Sequence, residues 1–196
     1  MTTPNSRRTG ASDGGHLSRS DYFSAGMAIL AEEGPRKLTT TNICSRIGAT
    51  RGSFYHHFAS GPAFISALIA HWEADVYARA DEAASGAGDH IAAFKAAGVS
   101  AQHRAERAIR GWSYEDARVA AAQRRVDEFR QARLVGIFTE LGVEPDTAAT
   151  LADLGVALYA GVQVVDGFDR ARRTAVVDVY DDLVRKTGST PPAGPD

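Results

Sequence analysis

The chain of 196 residues contains very little cysteine, and this scarcity excludes several kinds of protein. Its one cysteine, Cys44, rules out a disulfide within the chain. One thiol also falls short of the roughly four ligands that a structural zinc site needs. Because free cysteines are commonly buried, we interpret Cys44 as a small apolar core residue rather than a redox switch.

Long apolar runs are also missing. No run approaches the roughly 18 consecutive apolar residues that cross a bilayer, and the N-terminal segment 1–20 is polar, unlike a signal sequence. We therefore expect a cytoplasmic protein that does not contact a membrane. Hydrophobic residues make up 44% and charged residues 23%, which is typical of a folded soluble protein.

The net charge of −2 is distributed unevenly along the chain. Residues 1–60 carry a net charge of +3, and residues 61–196 carry −5. A basic N-terminal part on an acidic remainder suits a protein that contacts a polyanion with one end only.

Both ends of the chain are rich in small and polar residues without apolar periodicity. Residues 1–16 and 188–196 are therefore predicted to be disordered tails. The first tail carries Arg7 and Arg8, which are either solvated or part of a basic arm that reaches into a DNA minor groove.

Between the tails the apolar pattern is helical, and no strand-like alternation occurs. The first helix ends at Gly34, and Thr39 or Thr40 can cap a short second helix that ends at Gly48. A third short helix follows the turn. The residues predicted to face inward from these three helices are Tyr22, Ala25, Gly26, Ile29, Leu30, Ile43, Cys44, Ile47, Phe54 and Phe58.

A longer fourth helix should link two domains. Ser60 is its predicted N-cap, Pro62 fits its first turn, and its apolar spacing continues to about Ala84. Small residues from Ser85 to Gly88 then mark the boundary region. Further helices are predicted at about 89–99, 103–113, 115–141, 145–165 and 170–187, with Asp116 at the start of the third of these.

Residues 38–58, LTTTNICSRIGATRGSFYHHF, predict a helix-turn-helix. In such a unit the second helix enters the DNA major groove while the first crosses the backbone. We therefore predict an all-α fold, with an N-terminal three-helix helix-turn-helix domain at 17–62 and a larger helical domain at 63–187. The outer face of the recognition helix would present Thr50, Arg51, Gly52, Ser53, Tyr55, His56 and His57.

The segment from Tyr22 to Phe64 resembles the DNA-binding domain of the TetR family of regulators and covers about a quarter of the chain. The resemblance implies a ligand-responsive repressor that binds double-stranded DNA as a homodimer, with a larger helical domain for effector binding and dimerisation. The residues that match in order and spacing are Ala25-Gly26, Ile29-Leu30, Glu32, Gly34, the threonine pair, Ile43, Ile47-Gly48 and Gly52 to Phe58.

The resemblance also implies roles for single residues. Thr41 and Arg51 would face base edges, whereas the phosphate contacts would come from Thr40, Ser53, Tyr55 and His57. The chemistry of Arg51 supports its role independently, because a guanidinium can bond to guanine O6 and N7 together. Gly52 beside it would let the helix approach DNA closely.

The chain departs from the family pattern at the start of the fourth helix. Family members usually carry a phosphate-binding lysine there, and this chain has Ser60-Gly61-Pro62. Helix amides can still attract a phosphate. We expect somewhat weaker and less salt-sensitive binding.

The cluster of Tyr55, His56 and His57 has a second interpretation, as a metal or catalytic site. Adjacent histidines point in different directions on a helix, and no carboxylate lies within a turn of them. We therefore expect no metal and no cofactor.

The C-terminal helices carry aromatic and polar residues on otherwise apolar faces. Ligand pockets are mostly apolar with a few polar groups, so some of these residues are candidates for an effector site, although each alone is better explained as a core residue. The candidates chosen are Trp112, Tyr114, Phe129, Tyr159 and Gln163, from a wider set that includes Phe94, His103, Phe138 and Phe168.

The last two helices have broad apolar faces that suggest a four-helix interface between two copies. Two recognition helices would then lie about 34 to 36 Å apart, or a multiple of this, on a near-palindromic operator. We hypothesise that an effector moves the fourth helix and changes this separation. The two faces consist of Leu151, Leu154, Gly155, Leu158, Tyr159, Val162 and Val165, and of Val176, Val177, Val179, Tyr180, Leu183 and Val184.

A competing class is an all-α enzyme or small-molecule binding protein without a role on DNA. No nucleophile, base and orienting group recur at a recognisable spacing, and no di-iron carboxylate-histidine pattern occurs. We therefore predict that the protein is not an enzyme.

Overall fold

A computed structural model describes residues 17–85, 103–165 and 169–188, and within these segments every regular element is a helix. The all-α prediction is confirmed. Several predictions lie outside the described residues: the tails 1–16 and 189–196 with Arg7 and Arg8, the helix at 89–99 with Phe94, the small residues 86–88, Phe168 and the side chain of His103.

The N-terminal helices begin and end where their capping residues predict. Helix α1, Arg19–Glu33, has a capping box formed by Ser18 and Asp21, and it ends at a glycine with φ of 80°. A 3₁₀ turn, Pro35–Lys37, leads to α2, Thr40–Ile47, whose N-cap is Thr39. Helix α3, Arg51–His57, follows, and its N-cap is Thr50.

Five further helices follow in the rest of the described chain. They are α4, Gly61–Ser85; α5, His103–Trp112; α6, Ala117–Glu140; α7, Pro145–Val164; and α8, Arg170–Gly188. Helix α6 begins two residues later than predicted, because Asp116 is its N-cap rather than part of its first turn. Gly188, predicted to begin the C-terminal tail, is instead the last residue of α8.

One hydrophobic core runs from the N-terminal helices into α5 and α6. It joins Phe54 of α3 and Trp72 of α4 to Ile109 of α5 and Val119 of α6, all of which are essentially inaccessible to solvent. Helix α5 also packs directly against α1. The core therefore crosses the domain boundary predicted at residues 62 and 63.

A second core holds α6, α7 and α8 together around Phe138 and Tyr180. The Tyr180 hydroxyl donates to the carbonyl of Leu151 at 2.5 Å. A Cβ added at Gly155 would lie 2.5 Å from the same hydroxyl oxygen, so α7 and α8 can approach this closely only over a glycine.

The apolar faces predicted for α7 and α8 are each divided between the core and the surface. Each helix is covered on one side by its neighbours, and its apolar residues continue round to the open side. Leu151, Gly155, Tyr159, Val162, Tyr180 and Val184 are buried within the chain, whereas Leu154, Val165, Val179 and Leu183 are exposed.

Helix α7 is long and apolar enough to cross a membrane by length and composition alone. Its buried side packs against α6 and α8, and it carries Asp146 and Asp153. A core helix of a folded protein has the same properties.

The Asp116 cap of α6 should make the stability of the fold depend on pH. The guanidinium and the amide of Arg118 donate to the Asp116 carboxylate at 2.7 and 2.9 Å, and these bonds lower its pKa from 3.8 to about 2. Asp116→Ala should therefore lower the free energy of unfolding by about 1 kcal/mol at pH 7. A carboxylate with a lowered pKa stabilises the fold above its unfolded pKa, and this contribution is lost as the pH falls towards the folded value.

Urea unfolding of the wild type and the variant, at pH 7 and at about pH 3, measures this effect. The difference between the two proteins should be smaller at the lower pH. The control Asp153→Ala, at an exposed position inside α7, should change stability by less than about 0.5 kcal/mol. An equal Asp116→Ala difference at both pH values would contradict the ionised cap.

Candidate DNA-binding surface

The buried side of α3 is centred on one aromatic side chain. The Phe54 ring is 0% exposed, and its centroid lies 5.8 Å from that of Tyr22, 5.3 Å from that of Phe58 and 5.4 Å from that of Phe64. Since these rings come from α1, α4 and the end of α3, they fix the side of α3 that faces inward. The predicted inward positions of Phe54 and Phe58 are confirmed.

The turn before α3 has the geometry that a helix-turn-helix needs. Gly48 adopts the left-handed conformation, with φ of 66° and ψ of 24°, which ends α2. The Thr50 hydroxyl then accepts from the amide of Ser53 at 3.1 Å and starts α3. Cys44 is buried behind this turn, as predicted, and burial raises the pKa of its thiol.

Two polar contacts from α1 fasten the ends of α3. The hydroxyls of Tyr22 and Ser53 are hydrogen-bonded at 2.7 Å. The Arg19 guanidinium donates to the carbonyl of His57 at 2.9 Å and lies 4.6 Å from the centroid of the Phe58 ring. Sequence reasoning missed both contacts, because a partner more than thirty residues away in the chain leaves no local signal.

The predicted DNA contacts lie on α2, α3 and the turn between them. Tyr55 is 53% exposed, although the edge of its ring packs against Phe54. Ser53 and His57 are half-buried, each beside Tyr22. The residues that are open to solvent are Thr41, Thr50, Arg51, Gly52, Tyr55 and His56, and Thr40 is half-buried.

The two residues predicted to face base edges are bonded to each other. Arg51 Nη2 donates to the hydroxyl of Thr41 at 2.8 Å. The contact joins the first residue of α3 to the first turn of α2, and both side chains belong to exposed residues. The Arg51 guanidinium is therefore held on the open side of the helix-turn-helix.

The start of α4 has few free amides to offer a phosphate. Pro62 has no N–H, and the amide of Ala63 donates to the Ser60 hydroxyl at 3.1 Å. A Cβ added at Gly61 would lie 3.8 Å from the Thr40 hydroxyl, so this end of α4 is next to the start of α2. A phosphate bound between the starts of α2 and α4 would therefore depend mainly on the Thr40 hydroxyl and the Gly61 amide. Fewer α4 amides can replace the missing lysine than expected from the sequence.

Arg46 of α2 faces away from this surface. One of its terminal nitrogens donates to both carboxylate oxygens of Glu32 on α1, at 2.7 and 2.6 Å. A second terminal nitrogen lies 3.8 Å from Glu33. Arg46 is thus a cation of the same domain whose charge is matched by α1.

Two of the candidate effector residues, Tyr159 and Gln163, lie together in the interior of the C-terminal part. Both reach the carboxylate of Glu106 on α5, which is 5% exposed: the tyrosine hydroxyl at 2.5 Å and the glutamine amide at 3.3 Å. Arg130 of α6 donates to the same oxygen at 2.8 Å and lies 4.4 Å from the centroid of the Tyr159 ring.

A second ion pair extends this buried network. Arg110, one turn after Glu106 on α5, forms a two-point bond with Asp127 of α6 at 2.9 and 2.8 Å. Its Nε donates to Gln163 at 2.8 Å. The network therefore joins α5, α6 and α7. We define the buried ionic network as Glu106, Tyr159 and Gln163, which are buried, together with Arg110, Asp127 and Arg130, which are half-buried.

The other three effector candidates are not part of this network. Tyr114 is 85% exposed, because α5 ends at Trp112 and Tyr114 lies in the following turn. The prediction that Tyr114 lines an effector site together with Tyr159 is therefore corrected. Phe129 packs against Tyr77 with ring centroids 4.4 Å apart, and Trp112 lies half-buried beside the first core. Sequence reasoning missed the four charged members of the network, although charges at one-turn spacing on buried helices are a usable signal.

Comparison with known families matches one part of the chain. Residues 23–67 fit the profile described as bacterial regulatory proteins, tetR family. This segment contains α2, α3 and most of α1, so it covers the surface described above. No curated protein is matched by the sequence of the chain.

Solved structures resemble the described fold over most of its length. A transcriptional regulator from Rhodococcus sp. Rha1 has a TM-score of 0.73 and 18% identity, over 89% of this chain and 100% of that one. A TetR transcriptional regulator from Legionella pneumophila has a TM-score of 0.66 and 13% identity, over 88% and 95%. Salmonella enterica GusR has a TM-score of 0.65 and 21% identity, over 87% and 93%. At these identities the similarity shows the fold.

Proposed function

We propose that this chain, a DNA-binding transcription regulator of the TetR family, is a repressor that binds a near-palindromic operator as a homodimer and responds to a small-molecule effector. The observation that carries the proposal is the exposed side of α3, which is supported by the buried Phe54 ring and lies within the matched segment. Arg51 is the residue proposed to read sequence. Occlusion of a promoter by the bound dimer would produce repression.

The exposed chemistry of α3 fits recognition of a DNA groove. An arginine at the first helical position can reach base edges, and a glycine at the second leaves room for the DNA backbone. The phosphate contacts proposed for Thr40, Ser53, Tyr55 and His57 would set the register of the helix on the duplex. Thr50 and His56 are proposed to lie at the edges of the same contact.

Replacing Arg51 tests the reading of sequence. Arg51→Ala should lose about 1 to 3 kcal/mol of discrimination at one base pair in each half-site, because the bidentate contact to guanine is removed. Fluorescence anisotropy on the operator and on duplexes with single changed base pairs measures this quantity.

Arg46→Ala is the matched control, because it removes the same charge from the same domain while its guanidinium is bonded to Glu32. It should leave the pattern of base preference unchanged. If Arg51→Ala keeps the full base preference of the wild type, then Arg51 does not read sequence.

Dimerisation is proposed to use the open sides of α7 and α8. Leu154 of α7, Val165 at the C-cap of α7 and Leu183 of α8 are exposed, and Val179 of α8 is 72% exposed. Exposed apolar residues at helical spacing on two neighbouring helices suit a four-helix interface with a second copy. Such an interface would also place two recognition helices on one side of the duplex.

A charge in this interface should separate the copies. Leu183→Glu is expected to reduce the mass in solution from that of two chains to the 20.8 kDa of one, because a buried unpaired carboxylate is strongly unfavourable. Sedimentation equilibrium measures the mass. Tyr114→Glu, which adds the same charge at an exposed position outside α7 and α8, should remain a dimer. A dimeric Leu183→Glu protein would argue for a different interface.

The effector is proposed to act at Tyr159 and Gln163, the two uncharged members of the buried ionic network. Burying charged groups costs several kcal/mol per ion, so an ionic network is a poor device for stability alone. It is a good device for holding two arrangements of helices that differ in their ion pairs. Since α5 packs against α1, a change in the network would reach the DNA-binding helices through α5.

Glu106→Gln tests this coupling. It keeps the shape of the side chain but removes the charge that faces Arg130, which should weaken operator binding at least about fivefold, the low end of typical coupling energies. Anisotropy measures the affinity, and circular dichroism confirms that the variant is folded at the assay temperature. Glu140→Gln, an exposed acid on α6, should bind like the wild type. A folded Glu106→Gln protein with unchanged affinity would contradict the coupling.

The proposed role requires no catalysis and places the protein with the DNA in the cytoplasm. Regulators of this family are typically non-enzymatic DNA-binding proteins, which favours the regulator over an all-α enzyme. The proposed partners are double-stranded DNA, a small-molecule effector and a second copy of the chain.

A further inference from the structure

We infer that Thr41 is a positioning residue, which holds the Arg51 guanidinium in the orientation that reads a base pair. The inference rests on the proposed function and deepens it by assigning how sequence specificity arises. The observation is the 2.8 Å hydrogen bond from Arg51 Nη2 to the Thr41 hydroxyl. By resemblance alone, Thr41 would itself face a base edge.

The backbone on both sides of this bond is well defined. Thr41 lies in the first turn of α2, whose cap is the neighbouring Thr39, so its own side chain is not needed to start the helix. Arg51 is the first residue of α3, directly after the cap Thr50. The turn at Gly48 sets the orientation of α3 relative to α2, and the bond from Arg51 to Thr41 connects the two helices.

The bond leaves the guanidinium able to bind a base. A guanidinium has five N–H donors, and this contact uses one of those on Nη2. The second Nη2 hydrogen and those on Nη1 remain for guanine O6 and N7, a bidentate contact. The hydrogen bond to Thr41 therefore orients the arginine and leaves the N–H groups that would contact guanine free.

The bond restricts the conformation of the Arg51 side chain before DNA binds. A free arginine on an exposed helix samples many rotamers, and binding must select one of them. An arginine already held by Thr41 has fewer rotamers to lose, so more of its contact energy remains for discrimination. The hydroxyl is necessary for this effect, and the methyl group of Thr41 is not.

Two substitutions at Thr41, compared with and without Arg51→Ala, separate positioning from direct contact. Thr41→Val removes the acceptor and keeps the shape, Thr41→Ser keeps the acceptor, and each is also combined with Arg51→Ala. Anisotropy on the operator and on duplexes with single changed base pairs, at a salt concentration low enough to measure every complex, gives the affinities. Thermal unfolding confirms that each variant is folded.

Thr41→Val should reduce discrimination at the base pair read by Arg51 by roughly three- to tenfold, the scale of one hydrogen bond. Thr41→Ser should restore most of it. In the Arg51→Ala background, Thr41→Val should have no further effect, because nothing remains to be positioned.

Two results would overturn the inference. One is an equal loss from Thr41→Val with and without Arg51, which would make Thr41 a direct DNA contact. The other is a Thr41→Val protein that discriminates like the wild type while Arg51→Ala does not. Failure of the proposed function is seen separately, because the wild type would then prefer no duplex at all.

Discussion

Burial of the Phe54 ring is the interaction on which the DNA-binding surface depends. Helix α3 has only seven residues, and an isolated helix of that length is unstable in water. Fully burying a phenylalanine side chain stabilises a fold by roughly 1.5 to 3 kcal/mol, and here the ring lies among Tyr22, Phe58 and Phe64. The same contact determines which side of α3 is left for DNA.

The aromatic contacts also link the DNA-binding helices to the rest of the molecule. Phe54 and Phe64 belong to a core that continues to Ile109 of α5 and Val119 of α6. Glu106, one turn before Ile109, and Arg110, the residue directly after it, both belong to the buried ionic network. Helix α5 thus carries an apolar contact towards α1 and an ionic contact towards α6 and α7, so a rearrangement on one side has a direct path to the other.

Much of the fold could be predicted from the sequence, because helix ends have local causes. Gly34 and Gly48 end helices, Ser60 caps the next one, and the apolar spacing of α1 identifies its buried side. The family resemblance located α2 and α3 for the same reason, since the residues that carry it lie in one continuous segment.

The side-chain contacts between helices that are distant in the sequence could not be predicted in this way. Tyr22 and Ser53 are 31 residues apart, and Glu106 is 24 residues from Arg130 and 57 from Gln163. Pairings over such distances depend on how helices pack, which a periodic pattern does not specify. The exposure of Tyr114 has a related cause, because α5 ends before this residue and a turn carries its ring outward.

Selection of bound duplexes from a random pool tests the central claim most directly, namely that the exposed side of α3 reads DNA in a symmetric pair. The expected result is an enriched consensus of two inverted half-sites, with centres one helical turn of about 10 to 10.5 base pairs apart or a multiple of it. A pool that remains unenriched after repeated rounds, or a consensus without inverted symmetry, would contradict it.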